Sequence, residues 1–178
     1  NALYHYVGQE LEPSLLAEKA FHIECELLGE PVGKQDQYIA AFGNIIAMDI
    51  NKEGLVSVDN NFVSEVNIKD LEDNLIFFYT GIQRSASEIL KGQSQSAKKK
   101  DKKVIQSMHQ IKKIGKECYN RFKDGDFDWF GNSLHNHWVM KKKISGKMSS
   151  EFIDKCYNLA RLNGALGGKI MGAGGGGF

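Results

Sequence analysis

Apolar positions along the chain fall into helical and alternating runs separated by glycine-rich breaks. Ala2 to Gly8 reads as part of a helix. Ser14, after Pro13, can cap a helix that runs to Leu28, with Gly29 as its stop and Pro31 beyond. A loop from Glu30 to Lys34 leads to a second helical stretch, Gln35 to Phe42, ended by Gly43. The runs Ile45 to Ile50 and Leu55 to Val58, joined by Asn51-Lys52-Glu53-Gly54, predict a hairpin. Leu75 to Thr80 predicts a buried strand, and helical periodicity resumes after Ser85. Val104, Met108, Ile111, Cys118 and Phe122 keep helical spacing. Asp126 or Asp128 can cap a helix through Trp138, and a last helix runs from about Ser150 to Leu162. Strands and helices mix without regular βαβ alternation, so the expected class is α+β. A division near residue 68 gives two domains, 1–68 and 69–178.

On a wheel of about 100° per residue, Leu16, Ala17, Ala20, Phe21, Ile23, Leu27 and Leu28 share one side of the first long helix. Glu24 falls in the middle of that apolar side, whereas Glu18, Lys19, His22 and Glu26 lie opposite. A carboxylate there needs a cation or a set of donors. Two readings fit equally: a Mg²⁺ ligand, or a core carboxylate paired with Lys or Arg.

Composition narrows the class. Hydrophobic residues at 42% and charged residues at 25% suit a globular chain that buries a core. The net charge of +1 argues against a nucleic-acid binder. No apolar run reaches the roughly 18 residues of a membrane helix, and no signal peptide is visible. Cys25, Cys118 and Cys156 are few and far apart, which suits a reducing compartment, and a cytoplasmic location is expected. The segment Lys91 to Lys103 is a patch for an anionic partner or a solvated helix end or loop, and the second is preferred. His5, His22 and His109 lack metal-site spacing.

The chemistry concentrates in two places. Asp36, in Gly33-Lys34-Gln35-Asp36-Gln37, stands in the first turn of a short helix, where the helix dipole favours its ionised form. Such a carboxylate is either a proton acceptor for a substrate hydroxyl or a helix-start Asp without catalytic duty. At the other end, the final 15 residues hold eight glycines. Folded chains accept that entropy loss where backbone must approach a phosphate or another loop closely. The segment is not a Walker A loop, because no Gly-Lys-Ser/Thr ends it.

Gly168-Lys169-Ile170-Met171-Gly172-Ala173-Gly174-Gly175-Gly176-Gly177 resembles the third signature motif of the GHMP kinases, the family of galactokinase, homoserine kinase, mevalonate kinase and phosphomevalonate kinase. Gly33 through Gln37 resembles the segment that carries the catalytic Asp in the family's sugar-kinase branch. The two motifs stand in the right order, about 135 residues apart. Closer still, Gly29-Glu30-Pro31-Val32-Gly33-Lys34-Gln35-Asp36-Gln37-Tyr38 and Phe78-Tyr79-Thr80-Gly81-Ile82-Gln83-Arg84-Ser85 resemble bacterial D-glycero-D-manno-heptose 7-phosphate kinases. Fucokinases share these patterns less fully.

The resemblance implies a first domain like ribosomal protein S5 domain 2 and a ferredoxin-like second domain, with ATP between them and Mg²⁺ as cofactor. It implies Asp36 as the catalytic carboxylate and Glu24, twelve residues earlier, as the Mg²⁺ ligand. Gly172, Ala173, Gly174, Gly175 and Gly176 would lie near the ATP phosphates. Lys34, Gln37 and Arg84 are the substrate-binding candidates, with Lys34 and Arg84 cationic enough for a sugar phosphate. His135, His137 and Trp138 are read as a packed or surface helix. The implied reaction transfers the ATP γ-phosphoryl group to the anomeric hydroxyl of the heptose 7-phosphate, for surface-glycan synthesis. The alternatives are a fucokinase or galactokinase, or a silent sugar-binding regulator on the same fold. The expected partners are a sugar phosphate and ATP, with no nucleic acid or membrane, and a homodimer is left open. The family's Gly-x-Gly-Ser-Ser loop is absent, and the chain opens without Met. The expectation is therefore a piece of a longer enzyme.

Overall fold

The computed structural model describes residues 2–83, 101–144, 146 and 148–178. The chain divides into two compact units, Asn1–Ser64 and Glu65–Phe178.

The first unit opens with α1 (Ala2–Tyr6) and α2 (Pro13–Phe21). Pro13 takes the first helical position, where its missing N–H costs nothing, and Glu12 is the N-cap residue. Ser14 therefore lies inside the helix and caps nothing, contrary to expectation. Nor does α2 continue as an α-helix to Leu28: residues His22–Leu27 form a π-helix. The single-wheel periodicity breaks there, and Ile23, Leu27 and Leu28 are exposed rather than part of one buried stripe.

Helix α3 (Gln35–Phe42) matches its expected bounds, and Gly43 ends it at φ +70°. Ala17 of α2 and Tyr38 of α3 are both buried as the two helices pack. The expected hairpin is present as β1 (Ala47–Ile50) and β2 (Val56–Asp59), antiparallel, with Ile50 opposite Val56. Asn51 organises its turn, because its side-chain oxygen accepts from the Glu53 and Leu55 N–H groups.

Among its described residues the second unit holds helices and no strand: α4 (Glu65–Asp73), α5 (Lys102–Asp124), α6 (Phe127–Ile144) and α7 (Glu151–Leu162). Asp101 caps α5 by accepting from Lys103 N and Val104 N, so this end of the lysine-rich segment is a helix start. Gly125, at φ +69°, ends the helix. Asp126 caps α6 through Trp129 N, and the helix runs six residues past Trp138. Ser150 caps α7. Trp138, Met148, Ile153, Ile170 and Ala173 form the core, with Ile82 and Tyr157 against it.

The expected strand Leu75 to Thr80 is not formed. Its backbone lacks a ladder partner among the described residues except at Thr80, and Ile76, Phe77 and Phe78 are exposed. An apolar run becomes a strand only where another strand accepts from its N–H groups and donates to its C=O groups. The periodicity after Ser85 and most of the Lys91 to Lys103 segment lie outside the described residues. No helix among the described residues is long and apolar enough to cross a membrane. All three cysteines are free thiols.

Candidate active site

Glu24 owes its placement to the π-helix. Leu28 N–H bonds to Ile23 O, five residues back, and Glu30 N–H bonds to Glu24 O. Such widened turns recur at functional positions. Glu24 is half-buried, and its Oε2 accepts from Gln37 Nε2 of α3 at 2.5 Å. The carboxylate thus finds an amide donor, and among the described residues no Lys or Arg pairs with it. Gln37 is buried, and among the described residues its Oε1 has no hydrogen-bond partner. Swapping the amide's two ends would set oxygen against the carboxylate, so the observed orientation is the favourable one.

Asp36 precedes Gln37 in the first turn of α3. Neighbouring helix positions point in different directions, and so Asp36 is exposed while Gln37 is buried. Asp36 thus faces solvent, while the residue after it clamps the half-buried Glu24.

Lys34 is engaged elsewhere. Its ammonium donates to both carboxylate oxygens of Glu18, at 2.7 and 2.8 Å, and to Gly54 O at 2.9 Å. An ammonium has three donors, and all three are used. Tyr38 also donates to Glu18, at 2.5 Å. Burial tends to raise the Glu18 pKa, but the bonds from Lys34 and Tyr38 outweigh it and hold the carboxyl below its ordinary value. Burial and the Glu18 bond push the Tyr38 hydroxyl up to about 12. This cluster ties α2, α3 and the hairpin together. Sequence reasoning missed it, because Lys34 and Glu18 are 16 residues apart.

In the second unit, Gly172–Gly177 forms a turn closed by Met171 N–H to Phe178 O. Gly175 N–H bonds to Met148 O, and Gly177 N–H bonds to Ile82 O. Thr80 returns the contact, donating to Gly177 O from both its N–H and its hydroxyl. A Cβ at Gly176 would lie 2.7 Å from Ile82 O, and one at Gly174 would lie 2.8 Å from Met148 Sδ. Close approach does require these glycines, and the partners are Met148 and the residue 80–82 segment. Two of the turn's amides are thereby spent on protein carbonyls.

His135 Nδ1 and the Tyr157 hydroxyl are 2.6 Å apart, with the rings stacked. This fits the packed-helix reading. His137 is half-buried on the same helix. Burial, with Lys169 and Lys141 nearby, lowers its pKa to about 4. Arg84 lies outside the described residues. Among the described residues no group of three or more His, Cys, Asp or Glu is gathered as a metal site.

These features meet a known pattern. Residues 111–178 match the model of the GHMP kinases C terminal family. The chain carries that C-terminal domain and has the GHMP kinase fold, α+β in class. It is 34% identical over 163 residues, 92% of its length, to D-glycero-alpha-D-manno-heptose 7-phosphate kinase of Campylobacter jejuni. It is 27% identical over 111 residues, 62% of its length, to the bifunctional fucokinase/GDP-fucose pyrophosphorylase of Arabidopsis thaliana. It superposes with a TM-score of 0.70 and 27% identity, over 97% of its length, on the crystal structure of a D-glycero-D-manno-heptose 1-phosphate kinase from Bacteroides thetaiotaomicron. The chain spans 48% of the Campylobacter protein, 10% of the Arabidopsis protein and 46% of the crystallised chain.

Proposed function

We propose that the intact protein is a cytoplasmic, ATP-dependent sugar kinase that phosphorylates the anomeric hydroxyl of D-glycero-D-manno-heptose 7-phosphate, giving the 1,7-bisphosphate for surface-glycan synthesis. The observation that carries the reading is the pair of carboxylates in the first unit. Asp36 is exposed at a helix start, and Glu24 is fixed by buried Gln37. The named heptose phosphate kinases among its relatives support the substrate class.

ATP supplies the phosphoryl group. Asp36 accepts the proton of the attacking hydroxyl and holds that oxygen in line. Glu24 fits a Mg²⁺ ligand, since Mg²⁺ takes one or two carboxylates and completes its shell with water and phosphate oxygens. Gln37 keeps that carboxylate oriented. Gly172, Ala173, Gly174, Gly175 and Gly176 lie on the ATP-phosphate side in this reading and contribute shape more than amide donors. Lys34 holds the scaffold through Glu18, which leaves Arg84 as the remaining earlier candidate for the sugar phosphate.

The engaged ammonium of Lys34 also favours a second reading, a kinase of an unphosphorylated sugar such as fucose. Steady-state assays of the intact enzyme with Asp36→Asn test the first reading. Turnover should fall about 10²–10⁴-fold with little change in KM. Turnover within a factor of a few of wild type would remove Asp36 from the chemistry.

A further inference from the structure

Lys169 stands where the chain enters the glycine turn. Its side chain is half-buried, and among the described residues no acidic side chain pairs with it, whereas Arg121 pairs with Glu117 and Asp126, Lys142 with Asp154, and Lys155 with Glu151. Its one hydrogen bond among the described residues, to Ile170 O, is 3.4 Å long, beyond the range of a strong N–H···O contact. Burial lowers its pKa. Lys141 of α6 reaches the same segment, donating to Gly172 O. His137 is one helical turn before Lys141 and therefore on the same face. Two ammonium groups and an imidazole converge on residues 169–172. A half-buried ammonium without a counter-charge destabilises a fold unless an anion joins it.

We propose that Lys169, Lys141 and His137 form a binding site for a phosphate group carried by one of the kinase's substrates, either the nucleotide or the phosphorylated sugar. The proposal rests on the kinase reading, in which phosphate groups enter the protein. It supplies the cationic site that Lys34, committed to Glu18, does not. Lysine recognises phosphate as a point charge, and an arginine in its place can do the same.

The test is calorimetric titration of the intact protein with β,γ-methylene ATP and, separately, with heptose 7-phosphate. Lys169→Met should weaken one of the two ligands about tenfold or more and leave the other unchanged. Lys169→Arg should keep most of the affinity. The ligand affected identifies the phosphate. A second readout is the titration of the His137 ring by NMR, whose midpoint should rise when the phosphate ligand saturates the protein. Should Lys169→Met fail to fold, Lys141→Met carries the same expectation. Wild-type affinity for both ligands in Lys169→Met and Lys141→Met, or a His137 midpoint indifferent to ligand, overturns the site. A protein that binds phosphate through Lys169 but transfers no phosphoryl group would retain this site and sink the kinase reading alone.

Discussion

Gln37 decides what Glu24 can do. With Gln37→Met the carboxylate loses its donor at 2.5 Å and its orientation. The intact enzyme should then need about tenfold more Mg²⁺ for half-maximal rate, because removing a group that orients a metal ligand costs that much or more. Mn²⁺ binding followed by electron paramagnetic resonance should weaken in parallel, and an unchanged metal requirement would refute the clamp. Glu18 makes a different prediction. Its pKa is held low by Lys34 and Tyr38 against the effect of burial, so its stabilisation is full above the ordinary Glu value and is lost as pH falls through the lowered one. Tyr38 has the opposite sign: its contribution is present below 10 and fades as pH rises toward about 12. Glu18→Gln should cost about 1–2 kcal/mol in denaturant unfolding, the lower part of the range for a charged hydrogen bond, since Glu18 is 40% exposed. At this scale the place of Asp36 at a helix start was legible, whereas the wheel that set Glu24 on an apolar stripe fails in the π-helix. The partners of Lys34 were not, because Glu18 and Gly54 are distant residues that local periodicity cannot bring together.

Elements with strong local punctuation were read closely. Gly43 ended α3 at its expected residue, Ser150 capped α7, and the Asn51 to Gly54 turn joined two strands. The failures share a cause: a pattern was extended beyond what its period can say. A regular wheel carries no sign of a π-helix, and the apolar run Leu75 to Thr80 carries no information about a pairing partner. The glycine turn stood out by composition, yet its reason lies in tertiary approach to Met148 and Ile82. Gly174→Ala places a side chain at φ +96°, and it should destabilise the second unit by about 1–3 kcal/mol, read as a lowered Tm. Gly176→Ala should destabilise through its clash with Ile82 O at 2.7 Å. A Tm equal to wild type in both variants would show that the turn does not hold this packing.

At the scale of the molecule, the chain brings its candidate chemistry in two compact units. The first carries the carboxylates Asp36 and Glu24, and the second carries the glycine turn with the basic group beside it. The heptose phosphate kinases that match this chain are about twice its length, and the Arabidopsis protein is about six times as long, so the proposed activity is that of the intact protein. The family resemblance was visible in two short motifs, because close backbone approach and an oriented carboxylate constrain residue type strongly. Substrate identity was less visible, since a phosphate pocket can be built from any convergent cations. The central claim is tested most directly by ADP release from the intact protein, followed with heptose 7-phosphate, mannose, fucose and galactose. The account predicts turnover with heptose 7-phosphate and little with the three unphosphorylated sugars. Turnover on fucose or galactose, with none on the heptose phosphate, would contradict it.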